Sequence, residues 1–365
     1  MENTMMDYIE RQPEILKKLL ENTNDLVEPM FKAFKDNDIK QVYFCGSGTS
    51  NHVGMFTANY FQKYLKVNAI AVKPHNFVYN EVINAGNTIK FSQILVVGVS
   101  QSGTSTSTIN AIKKAIDLGC KTLSFSQDNE SELSKLCDYR IKMACEKEMV
   151  PPETQGYTTA ILTGYLWSVI IANKLGYLND ELLSDKMNNI DHLIKVMPDI
   201  INDSKRWVEA NCAEILVGDK FYFMGDSLNY VTAFEGSLKF GETNRVAFRP
   251  METEESAHLI DLAFDSEVYT MFIVSNNEYC KRGIEIAEFT KQVTDHVFVI
   301  SDCYKKTNKD LLLSFNVDEE LTPLMFVIPF QIMGALIALK KGYDTSCYPY
   351  NLNSIAHNED YIFLK

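Results

Sequence analysis

Four apolar residues, Ile94–Val97, run into Gly98-Val99-Ser100-Gln101-Ser102-Gly103-Thr104-Ser105, then into an apolar stripe at helical spacing, Ile109, Ile112, Ala115 and Ile116, closed by Gly119. A continuous apolar run is what a strand buried on both faces requires, and a strand that leads through a short turn into a helix belongs to a parallel sheet. Ser100, Ser102, Thr104 and Ser105 surround the turn with hydroxyls, and Gly103 lets it tighten. The first-turn amides of the following helix lack partners within the helix, and the helix dipole favours negative charge there. Hydroxyl side chains add donors without adding charge. The stretch therefore reads as a phosphate site, although serine-rich turns also cap helices with no ligand present. Neither G-x-x-x-x-G-K-[ST] nor a strand followed by G-x-G-x-x-G occurs, which argues against ATP and NAD and toward a small phosphorylated metabolite.

The same pattern recurs along the chain. Residues 1–38 read as helical, with Pro13 suited to a first turn and Ile15, Leu16, Leu19 and Leu20 on one stripe. Gln41–Cys45 reads as a strand that enters Gly46-Ser47-Gly48-Thr49-Ser50-Asn51 and a helix carrying Phe56, Tyr60, Phe61 and Tyr64. Ala69–Val72 and Lys121–Phe125 are further strands. Strands alternating with helices predict a doubly wound parallel sheet, which binds ligands beyond the carboxyl ends of its strands. Gly46–Ser50 and Ser100–Ser105 both fall at such ends. A Pro151–Thr159 loop precedes an apolar helix, about Ala160–Leu175, and 177–213 reads as charged connecting helices. The second half repeats the outline with strands at Phe221–Met224, Val268–Val274 and His296–Ile300, a turn at Gly225-Asp226-Ser227, and a helix at Tyr230–Phe240. It ends one strand in Ser275-Asn276-Asn277 and lacks a Ser-x-Ser-Gly loop, so one phosphate site per chain is expected. A last apolar helix, about Pro323–Lys341, leads to a polar tail. The expected fold is α/β with two tandem, three-layer, flavodoxin-like domains: residues 1–200, N-terminal helices plus the first, and 201–365, the second with the tail.

A net charge of −13 opposes general attraction to nucleic acid or acidic membranes, so a phosphate must be held by local amides and hydroxyls. The eight cysteines form no C-x-x-C pair, which suggests neither a zinc site nor a redox dithiol by spacing and fits a reduced, cytoplasmic protein with no metal or cofactor. No apolar run is expected to reach membrane-spanning length, and the N-terminus shows no cleavable signal pattern.

Proton chemistry has candidates in Glu235-Gly236-Ser237-Leu238-Lys239-Phe240-Gly241-Glu242 and in Glu252–His258. Glu235, Lys239 and Glu242 share a helical face, which composition reads as a solvated surface with an ordinary ion pair and chemistry reads as a carboxylate base. His258 is available for proton transfer by its pKa class, while His75, His192 and His296 read as structural. His357 reads as part of a mobile surface tail.

Cys45-Gly46-Ser47-Gly48-Thr49-Ser50, Ser100-Gln101-Ser102-Gly103 and Glu235-Gly236-Ser237-Leu238-Lys239 together resemble the sugar isomerase (SIS) domain family, closest to the double-SIS isomerase half of glucosamine-6-phosphate synthases. The resemblance implies that Ser50, Ser100, Gln101, Ser102 and Ser105 hold a sugar 6-phosphate and that the Gly156–Thr158 loop, with Gly156 and Thr158, lines the sugar. It implies that Glu242 shuttles a proton between C1 and C2, that Lys239 is a site lysine, and that His258 handles ring opening or acid catalysis from the neighbouring subunit of a homodimer. Two departures stand out. The chain opens Met1-Glu2-Asn3 without a nucleophilic cysteine, so it is not expected to release ammonia from glutamine, and Ser354 stands where the synthase-like tail carries a Schiff-base lysine. Both departures resemble the fructosamine-6-phosphate deglycases. Deglycase, deaminase and aldose–ketose isomerase remain open, as do a non-catalytic sugar-phosphate sensor and a scaffold whose serine loops only cap helices.

Overall fold

The structure, a computed structural model, describes residues 4–350 and 355–357. The Ser354 position and most of the polar tail lie outside the described residues. Two parallel sheets of five strands are formed. The first contains β1 (Gln41–Cys45), β2 (Asn68–Val72), β3 (Ile94–Val99), β4 (Lys121–Ser126) and β5 (Tyr139–Lys142), in the order β2-β1-β3-β4-β5. The second contains β6 (Lys220–Gly225), β7 (Ala247–Glu252), β8 (Val268–Val274), β9 (Val297–Ser301) and β10 (Leu311–Leu312), in the order β10-β9-β8-β6-β7. Counted from its own first strand, each sheet has the same flavodoxin-like order, as the repeated pattern predicted. All six residues of β3 and all seven of β8 are buried, because helices cover both faces.

β5, β7 and β10 are additions to the strands read from the sequence. They sit at sheet edges, where only part of each strand is covered. β5 buries only Ile141, and β7 is exposed over Ala247–Arg249 and carries Pro250. β5 and β7 therefore show no apolar run to read, and β10 is only two residues long.

The chain divides into two compact units. The first holds β1–β5 and comprises the described residues within Glu14–Lys147, Gln155–Lys186 and Tyr350–Lys365. The second holds β6–β10 and comprises those within Met1–Pro13, Glu148–Thr154 and Met187–Pro349. The chain passes between units inside one unbroken helix, Asp180–Ile215, where the sequence suggested several connecting helices. Pro198 lies inside that helix without ending it.

One expectation is corrected outright. Glu319–Lys340 is long and apolar enough to cross a membrane, but 94% of its most apolar window is buried inside the fold. An apolar core helix and a membrane span pass the same test of length and composition. This helix, Thr322–Lys340, packs closely on Ser227–Asn244. A Cβ at Gly334 would lie 3.1 Å from Thr243 Oγ1 and 3.3 Å from the Lys239 carbonyl oxygen. Asn244 Nδ2 donates to the Gly334 carbonyl at 3.2 Å. The approach covers a helix face that the sequence left open to solvent.

Candidate functional site

In the first unit, the turns after β1 and β3 lie side by side, since Cys45 pairs with Gly98 in the parallel ladder. Ser50 is half-buried in the first turn of the Thr49–Tyr60 helix. Ser100 is buried, and its Oγ accepts from the Gly103 amide at 3.2 Å, so it shapes the turn. Ser102 is exposed, and its hydroxyl lies 3.0 Å from that of Thr104. Ser105 caps the Thr106–Asp117 helix without a side-chain capping bond, its hydroxyl 3.4 Å from Ser107 Oγ. Among the described residues, the amides of Gln101, Ser102 and Ser105 and the buried Thr108 Oγ1 have no hydrogen-bond partner. That set of donors at a helix start matches what a phosphate requires.

Gly156 is buried with its Cα against Gln101, where a Cβ would lie 2.5 Å from Oε1. Thr158 is fully buried, and its Oγ1 donates to the Gln155 carbonyl at 3.1 Å. Gly103 adopts φ +68°, and a Cβ there would lie 2.2 Å from Ser131 Oγ. Gly103→Ala is therefore expected to destabilise the chain by about 2 kcal/mol or more, through a left-handed backbone and a clash together. Denaturant unfolding checks this, and an unchanged midpoint would refute the strained turn.

Ala356 and His357 are hydrogen-bonded, in place of the mobile tail expected for them. The Ala356 carbonyl accepts the Thr106 amide at 3.1 Å, and His357 Nδ1 meets the Thr104 carbonyl. A cavity of about 280 Å3 opens beside this helix start, lined in part by His75, Tyr79, Ser107, Asn110 and Ile355.

In the second unit the Glu235–Lys239–Glu242 face is not solvated. Glu235 is 0% and Lys239 2% exposed. Lys239 Nζ lies 2.6 Å from Glu242 Oε1 and 3.6 Å from Glu235 Oε1. Burial lowers an ammonium's pKa, but the carboxylates of Glu242 and Glu235 and the hydrogen bond to Glu242 outweigh it, and that of Lys239 is raised. The Glu242 side chain keeps 35% exposure, so it is the member of the cluster that a solute can reach.

Glu153 joins this cluster. Burial, chiefly, pushes its carboxyl up to about 8; Lys239 opposes the rise, and Glu148, Glu235 and Glu242 add to it. At neutral pH Glu153 carries its proton and can donate it. Its loop is held by Glu148, whose two carboxylate oxygens accept the Thr154 amide at 3.0 and 2.9 Å and one of which accepts the Thr154 hydroxyl at 3.0 Å. Gln331 Nε2 donates to the Thr154 carbonyl at 3.2 Å, and Gln331 Oε1 accepts from Gln12 Nε2 at 2.7 Å. The sequence reading passed over Glu153 and Glu148. A carboxylate in a proline-rich loop ahead of a hydroxyl-rich helix start was a visible signal, but its burial beside three other glutamates was not.

A carboxyl raised from 4.5 to about 8 means the folded state binds more protons than the unfolded one across that window. Wild-type stability should therefore fall as pH rises through it, and Glu153→Gln should remove that fall. The variant's stability relative to wild type is expected to climb by up to ~1.4 kcal/mol per pH unit from about pH 5 to about pH 8. A difference that stays constant across pH in urea unfolding would refute the buried neutral acid.

His258 lies just after β7. It is exposed on a helix, Thr253–Ala263, and among the described residues makes no hydrogen bond or ion pair with Lys239 or Glu242. Its field reaches Glu254, which pairs with Arg282 at 2.8 and 2.6 Å. His192 bonds the Phe315 carbonyl at 2.8 Å, and His296 pairs with Glu214 at 2.6 Å, both structural. A larger cavity, about 520 Å3, lies beside Met5, Met6 and Ala335 and shares no residue with the carboxylate cluster or the serine turns.

The SIS domain family model matches residues 37–168, which carry all of β1–β5 and both serine turns. Residues 37–168 form a SIS domain. A glutamine–fructose-6-phosphate aminotransferase (isomerizing) of Caldanaerobacter subterraneus subsp. tengcongensis is 25% identical over 96% of this chain. The chain spans 58% of that relative's length. A candidate phosphosugar isomerase from Clostridium difficile 630, known from its crystal structure, superposes with a TM-score of 0.86 at 26% identity, covering 96% of each chain. The C-terminal domain of glucosamine-fructose-6-phosphate aminotransferase from Francisella tularensis shares the fold, with a TM-score of 0.78 at 18% identity over 93% of this chain and 97% of that one. The two parallel five-stranded sheets of this chain match the fold of these solved structures.

Proposed function

We propose that this protein is an enzyme that moves a proton between C1 and C2 of an amino-sugar or fructosamine 6-phosphate. The buried Lys239–Glu242 pair, with Glu242 the accessible member, carries this reading. Ser50, Gln101, Ser102 and Ser105 bind phosphate, with Ser100, Gly156 and Thr158 shaping their surroundings. Glu242 moves a proton between C1 and C2, from C1 to C2 on a fructosamine phosphate and from C2 to C1 on an amino-sugar phosphate, Lys239 holds that carboxylate in place, and Glu153 donates to the carbonyl oxygen. On a fructosamine phosphate this leaves an imine at C1, which water hydrolyses to an aldose phosphate and a free amine. His258 assists ring opening in the site of a neighbouring copy of the chain, in line with its exposure and its lack of a bond to Lys239 or Glu242.

The test is a coupled assay of the purified chain with fructoselysine 6-phosphate and glucosamine 6-phosphate. Glucose 6-phosphate plus lysine supports the deglycase form of the proposal. Fructose 6-phosphate plus ammonia supports the deaminase form. Binding of both without turnover overturns the enzymatic reading in favour of a sensor. If neither raises the melting temperature, the phosphate site falls as well, because a ligand of the native state stabilises it by mass action.

A further inference from the structure

Cys280 and Cys303 lie far apart in sequence and together in the second unit, with their sulfurs 2.9 Å apart. Cys280 is the first residue of the Cys280–Thr290 helix, and Cys303 follows β9 by two positions. We infer that Cys280 and Cys303 are an oxidisable dithiol, a modification site that closes to a disulfide on exposure to a peroxide and reopens with a thiol reductant. The inference is independent of the proposed catalytic role.

The backbone on both sides is already fixed in the paired position. Ser301 Oγ accepts the Cys303 and Tyr304 amides, each at 3.1 Å. Asp302 Oδ1 accepts the Asn276 amide at 2.7 Å. Beyond the pair, Tyr304 and Lys306 both bind Glu288 of the same helix at 2.6 Å. Closing the bridge thus requires turning two side chains and not moving two segments, which is the condition for a disulfide to form in a native fold. Cys303 is exposed and Cys280 half-buried, so a small oxidant reaches the pair. Cys45, Cys120 and Cys137 are buried.

The chemistry balances with hydrogen peroxide as oxidant. One thiol takes up oxygen to become a sulfenic acid and releases water. The second thiol attacks that sulfur, the S–S bond forms, and a second water leaves. Burial, first, pushes the Cys303 thiol up to about 12, so at neutral pH Cys303 keeps its proton. Bridge formation should therefore quicken as pH is raised.

The experiment uses the full chain, reduced, desalted and exposed to hydrogen peroxide, then alkylated under denaturing conditions and mapped by mass spectrometry. Cys347, the other exposed cysteine, is the internal control. The expected result is a Cys280–Cys303 cross-linked peptide that dithiothreitol removes. Protection of the pair from alkylation should exceed that of Cys347 about tenfold, since an intramolecular partner acts at high effective concentration. In Cys303→Ser, Cys280 should instead stop at a sulfenic acid, trapped by dimedone, with an unchanged melting temperature. Absence of the cross-linked peptide, protection no greater than at Cys347, or pairing of Cys280 with another cysteine in Cys303→Ser would each overturn the inference.

Discussion

Glu242→Gln is expected to lower turnover by about three orders of magnitude while leaving sugar-phosphate binding nearly intact, because removing a positioned base typically removes ~10²–10⁴ in rate. Glutamine keeps the shape and can still accept from Lys239, but it cannot take a proton from carbon. The loss should therefore fall on kcat, with KM little changed, as for an interaction made only in the transition state. Calorimetric binding of a hexose 6-phosphate to the variant separates this from a collapsed site. Retention of wild-type turnover would remove Glu242 from its proposed role. Retained turnover in Glu242→Gln together with its loss in Glu153→Gln would move the base to Glu153.

Lys239→Met should be the most destabilising single change in the cluster, by ~3–5 kcal/mol, since removing one partner leaves uncompensated buried charge. Glu235 is 0% exposed and lies 3.6 Å from the Lys239 ammonium, so losing that cation removes the close opposite charge from a carboxylate that water does not reach. Glu242 fares better because it is partly open to water. The deficit should shrink as pH falls, because protonating the carboxyls removes the charge that has lost its partner. The double variant Glu235→Gln/Lys239→Met should recover much of the loss, since a buried pair replaced by neutral groups of similar size is often near neutral. Equal instability of the single and double variants would show that packing, and not charge, sets the effect.

The serine turns and the carboxylate cluster differ in how far the sequence disclosed them. Ser100–Ser105 is legible because every part of the signal is local: an apolar run that must be a buried strand, a glycine that must turn, and hydroxyls placed at a helix start. β3, its turn and its helix formed as read, and the same logic located β1, β4, β6, β8 and β9. Edge strands such as β5 and β7 carry no such run, because partial coverage does not demand one.

The face holding Glu235, Lys239 and Glu242 was legible as a face and illegible as an environment. Helical spacing is the same whether charges meet water or a neighbouring helix. Burial came from the close approach of Thr322–Lys340 at Gly334, a helix distant in sequence. Glu153 shows the point more sharply. Its carboxyl is pushed up to about 8 by burial and by glutamates that come together only in the folded second unit. Sequence by itself determined two parallel sheets with hydroxyl turns at the carboxyl ends of β1 and β3, because strand burial and turn chemistry are properties of contiguous residues. Tertiary structure alone decided which carboxyls are neutral, which lysine is buried, and which apolar helix lies in the core, because desolvation and like-charge crowding depend on neighbours that the chain brings in from elsewhere.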